Sequence, residues 1–147
     1  MDIEWLILAD GAQVVNGKLY LLGGGRDAVT VATDRFPAQH RCALAAAFRV
    51  PWNETNQPNN IEIEIVLEDG QESLVKIAGP VEVGRPAGLP RGQDQRAQLV
   101  VELELSFPKP GTYTVIGRVE GQELKRVPFT VVPNPMLALR PGSPVAP

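Results

Sequence analysis

The chain has 147 residues, 44% of them apolar and 21% charged, with a formal net charge of -3 at pH 7. That length holds one domain with a real core, and the mildly acidic balance gives no electrostatic case for nucleic acid. No segment approaches the roughly 18–20 apolar residues of a membrane span, and a lone cysteine, Cys42, rules out an intrachain disulfide.

The chain opens MDIEWLILADG. Asp2 and Glu4 stand where a secretory leader carries basic residues, and the apolar run stops at Ala9. The expectation is a cytoplasmic protein. Residues 3–9 read as an apolar strand closed by a turn or bulge at Asp10-Gly11. Asn16-Gly17 is a strong hairpin signal between residues 13–15 and 19–25. A short strand follows over 28–32. Residues 40–50, HRCALAAAFRV, are alanine-rich, yet Cys42, Leu44, Ala46, Phe48 and Val50 share one parity before Pro51, so they predict a strand.

PWNETN, from Pro51, predicts a corner, with Trp52 capping a turn-forming polar tract. IEIEIVLE (61–68) alternates strictly, and Asp69-Gly70 turns it back into 73–79. Residues 79–96 hold three prolines and four glycines and read as a long connection. Further strands are predicted at 97–107, 112–119 and 124–132, with tight turns at PKPG and Glu120-Gly121-Gln122. Pro128 removes an amide donor, which puts it at an edge or a bulge. About eight to nine short strands with no convincing helix predict an all-β antiparallel β-sandwich, immunoglobulin-like in the sense of two packed sheets. The domain spans 1–132, followed by a Pro-rich extended or flexible tail over 133–147.

No pattern carries an enzyme. His40 is the single histidine, which excludes a His-rich zinc site within one chain. His40 and Cys42 face one side of a strand, but Cys42 is in phase with the core, where a free thiol is a small inert hydrophobe. Gly23-Gly24-Gly25-Arg26 lacks the Lys-Ser/Thr and the helix of a phosphate loop. Asn53-Glu54-Thr55 matches a glycosylation sequon, read as a chance match because a cytoplasmic protein is expected. Glu62, Glu64, Glu102 and Glu104 alternate with apolar residues as a solvated face does, or form an acidic stripe if their strands are neighbours. The expectation is no catalytic residues, no metal and no cofactor.

Several strands are apolar on both faces. Leu6 and Leu8 oppose Ile3, Trp5 and Ile7; Leu99, Val100 and Val101 are consecutive; Ala43, Ala45 and Ala47 form a row. A monomeric sandwich has a more polar outer face, so the tail, the 79–96 connection or another subunit must cover it. The alanine row, with Met136, Leu137 and Leu139 of the tail, is therefore the expected interface.

The stretches LADGAQVVNGKLYLLGGG (8–25), FRVPWNETN (48–56), VEVGRPAGLPRG (81–92) and PGTYTVIGRVEGQELKRVPFTV (110–131) together resemble a family of small uncharacterised bacterial proteins. The resemblance covers nearly all of the chain except the tail. It implies one compact β domain in bacteria and transfers no activity. The last stretch is similar to the closing hairpin of many immunoglobulin-like modules, an analogy of fold alone.

The leading expectation is a non-enzymatic protein working through protein–protein contact, including contact with itself, with no nucleic acid and no membrane as partner. The alternative is a small-ligand module whose end loops, around Trp52, Asn53 and Asn56 and over Gly84 to Gly92, place Arg85 and Arg91 against an anionic ligand.

Overall fold

The structure is a computed structural model and describes residues 1–68 and 72–138. Among the described residues there are ten strands: β1 (Asp2–Ala9), β2 (Gly11–Val15), β3 (Lys18–Leu22), β4 (Ala28–Val31), β5 (Ala38–Val50), β6 (Pro58–Leu67), β7 (Ser73–Glu82), β8 (Gln95–Phe107), β9 (Gly111–Val119) and β10 (Gln122–Pro133). They form a three-stranded sheet β1-β5-β8, a five-stranded sheet β4-β10-β9-β6-β7 and the two-stranded hairpin β2-β3. Ten strands, against the eight or nine expected, include this hairpin, which stands as a sheet of its own. The expected Asp69-Gly70 turn lies outside the described residues.

Local chemistry accounts for the turns. Asn16 and Gly17 both adopt positive φ, 50° and 72°, as do Glu120 and Gly121 at 50° and 79°. Two successive positive φ values match the twist of the flanking strands. One pairing departs from the antiparallel expectation: β4 runs parallel to β10, Ala28 facing Thr130 and Val31 facing Pro133. No hairpin links these strands, because β4 leads on into β5 of the other sheet, so chain direction is free there. Since β4 pairs with β10 only from Thr130 onward, Pro128 sits where, among the described residues, the second edge of β10 has no strand hydrogen-bonded to it, consistent with its missing donor.

One apolar core lies between the two larger sheets. Cys42, Leu44, Ala46 and Phe48 of β5 meet Ile61, Ile63 and Ile65 of β6 and Tyr113 and Val115 of β9 in a single buried cluster. An aromatic group bridges the sheets: Phe107 of β8 lies 5.1 Å from Tyr113 and 6.1 Å from Phe129, centroid to centroid. The Tyr113 hydroxyl donates to the Lys109 carbonyl at 2.6 Å, so its polar end is satisfied where its ring is buried.

A register shift between Ile3 and Trp5 explains the two-faced β1. The bulge puts Ile3, Leu6 and Leu8 toward the core, and Trp5, Ile7 and Ala9 outward, opposite Ala47, Ala45 and Ala43. That outer face is covered from within the chain. β2 lies against β5 and β8, and Gln98 Nε2 donates to the Gly17 carbonyl at 2.7 Å. Ala43, Ala45 and Ala47 are 1%, 0% and 0% exposed in the single chain. The expected alanine-row interface is therefore corrected: the small side chains let the protein's own hairpin approach closely, and no second subunit can reach them. Beyond β10, Asn134 donates its N–H to Val31, and Pro135–Ala138 forms one 3-10 turn.

Candidate functional site

The corner after β5 assembles three of the expected end-loop residues. Pro51 ends the strand, and Trp52–Glu54 form one 3-10 turn. Arg85 reaches in from the 83–94 connection. Its guanidinium lies 4.0 Å over the Trp52 ring, Nη2 donates to the Trp52 carbonyl at 2.8 Å, and Nε donates to Thr55 Oγ1 at 2.6 Å. Thr55 Oγ1 in turn donates to the Trp52 carbonyl at 2.7 Å. Asn56, at φ 60°, gives its N–H to Val83 at 2.8 Å. Trp52 thus caps the corner, as its place after Pro51 predicts. Arg85 is a clamp that spends Nε and Nη2 inside the chain, a use that competes with the anion-binding role expected of it. Asn53 and Arg91 are exposed.

The chemistry considered around His40 and Cys42 does not assemble a nucleophile. Both line a crevice of about 10 Å³ with Leu8, Ala9, Arg26 and Val29. Burial, with a contribution from Asp10, pushes the Cys42 thiol up to about 11, away from the thiolate that reactivity requires. Burial lowers the pKa of His40, whose ring packs 6.1 Å from Phe107. The acidic stripe is also divided, because β6 and β8 belong to different sheets. Glu62 and Glu64 accept from Arg118 Nη1 at 2.6 and 3.0 Å, and the Ser73 hydroxyl and Arg118 hold the Glu64 carboxyl below its usual range. Among the described residues, no group of three or more His, Cys, Asp or Glu could hold a metal ion.

Among the described residues, exposed large apolar side chains fall on the hairpin, at Val132 of β10 and beyond that strand. On the solvent face of the hairpin, Tyr20 is 55% and Leu22 75% exposed; beyond β10, Met136 is 69% and Leu137 46% exposed. Leu139, expected to join these last two, lies outside the described residues.

The less obvious feature is an open seam. β8 has thirteen residues and one strand neighbour, β5, among the described residues. Its core-facing side chains are well covered at one end, Leu105 2% and Phe107 0% exposed. Ala97, Leu99 and Val101, which pack on the same core, are half-buried. Across the seam stands β7, the edge of the other sheet, where Val75 and Ile77 are also half-buried. The β7 edge carries Pro80 and Lys76, residues that discourage strand addition. In the stretch Leu99-Val100-Val101, β8 has neither. The consecutive apolar residues there are visible in the sequence, but a strand's own residues do not say which of its neighbours is missing.

A search of curated proteins returns no match. A protein-family model described as "Family of unknown function (DUF6941)" matches residues 4–132, a span that takes in both the corner and the seam. The chain belongs to this family of unknown function.

Proposed function

We propose that this protein is a non-enzymatic, immunoglobulin-like β-sandwich of the bacterial cytoplasm that acts through protein–protein contact, with the open edge of β8 as the contact surface. The observation that carries the reading is the unpaired edge of β8 beside the half-buried Ala97, Leu99 and Val101. Such an edge offers a row of backbone donors and acceptors to an incoming strand, while the apolar side chains add burial on docking. The immunoglobulin-like assignment draws support from Tyr113. Its hydroxyl bonds a carbonyl four residues upstream, as the tyrosine corner of such sandwiches does. The ligand-module alternative has less support, because Arg85 already serves the corner.

The test is site-specific photo-crosslinking in the native cell. A photoreactive residue replacing the exposed Glu102 of β8 is expected to give covalent protein adducts. The same residue replacing Glu123, on the other sheet, is expected to give none. Absence of adducts from position 102 overturns the reading.

A further inference from the structure

Resting on β8 as the contact edge, we infer that its occupant is the β8 strand of a second copy of this chain, paired antiparallel about a two-fold axis at Val100. The argument is charge complementarity written into one strand. The outward face of β8 runs Arg96, Gln98, Val100, Glu102, Glu104, basic at one end and acidic at the other. Antiparallel self-pairing about Val100 sets Arg96 opposite Glu104 of the second copy and Gln98 opposite its Glu102. Parallel self-pairing would instead place each charge against its own kind.

The core-side residues agree with the same register. Leu99 would meet Val101 of the second copy and Ala97 its Leu103, so the half-buried stretch of each strand would be covered by the other. The centre of the pairing, Val100, falls within the half-buried segment 97–101. Arg96 can take part without leaving its place. It gives Nε and Nη2 to Glu4, the closest contact being 2.8 Å, and lies 4.9 Å over the Trp5 ring. Among the described residues no acceptor takes its Nη1. Pairing of one edge with itself is isologous, so it closes as a dimer and consumes the exposed edge. The three-stranded sheet would become a six-stranded sheet running through both copies.

The experiment uses the full chain. Light scattering across a concentration series is expected to give twice the 15.9 kDa chain mass. Glu104→Arg, which opposes Arg96 of the second copy, is expected to raise the dissociation constant at least tenfold. In a second variant, Val100→Cys, oxidation is expected to link two copies at the axis, whereas Glu123→Cys stays unlinked. The photo-adduct from position 102 is expected at the mass of two chains. A monomer at every concentration, with adducts of another mass, overturns the second copy and leaves β8 as a contact edge for a different protein. A dimer indifferent to Glu104→Arg and unlinked by Val100→Cys overturns β8 itself. A monomer with no adducts overturns both.

Discussion

Gly117 shows how closely the sheets meet. It lies on β9 opposite Ile63 of β6 and faces the core. A Cβ built there falls 2.6 Å from Ile3 Cδ1 and 3.4 Å from Leu6 Cδ2. Gly117→Ala therefore forces the end of Ile3 aside. The expected cost is about 1–3 kcal/mol of stability, the usual range for an overpacked core. Ile3→Val removes that methyl, so the double variant is expected to lose less than the two single losses added together. Urea unfolding of the four proteins measures this directly, and strict additivity would show that Ile3 is not the obstacle. The cause is visible only in the fold, because residues 3 and 117 come from different sheets.

At the scale of elements, the β2–β3 hairpin is a lid on the outer face of β1-β5-β8. Ala45 is 0% exposed beneath it. Ala45→Glu thus puts a carboxylate into a covered apolar site, where an unpaired charge costs several kcal/mol unless it protonates or the cover opens. The expected outcome is a loss of roughly 3 kcal/mol or more, with faster amide exchange over residues 11–22. A variant of wild-type stability with unchanged exchange would show that the hairpin does not seal this face. The alanine row was legible as a place of close approach, but its partner was not. A run of small residues records the distance to a neighbour, not the neighbour's identity. The corner at Trp52 was the more legible case, because a proline stop followed by short polar side chains encodes its turn locally. Arg85 was expected to meet an anionic ligand, since nothing in its own segment places it over a ring 33 positions earlier.

For the whole molecule, the buried thiol predicts an alkaline limit to stability. The folded chain holds the Cys42 thiol neutral up to about pH 11, against a reference near 9.0. Above pH 9 the unfolded chain releases this proton first, so the native state binds more protons and stability falls as pH rises. The contribution is complete below pH 9 and is lost through pH 11. Two units correspond to something on the order of 2 kcal/mol. Burial raises the phenol of Tyr113 as well, which adds to the decline above pH 10. In Cys42→Ala, denaturant midpoints over pH 9–11 are expected to fall less steeply than in the wild type. Equal slopes would show that the thiol ionises in the folded chain as easily as in the unfolded one.

Sequence alone determined the strands and most of their turns. Alternation assigns the core face of β5 and β6, and tight hairpins are encoded at Asn16-Gly17, where both residues tolerate positive φ, and at Glu120-Gly121, where the glycine does. These are signals over a few neighbours, where side-chain direction and backbone sterics act locally. Only the tertiary structure decided which strands are edges, that β4 runs parallel to β10, and that the hairpin rather than a second chain covers the alanines. Strand pairing depends on contacts between segments distant in sequence, and an apolar face reads the same whichever part of the chain, or which other chain, comes to cover it.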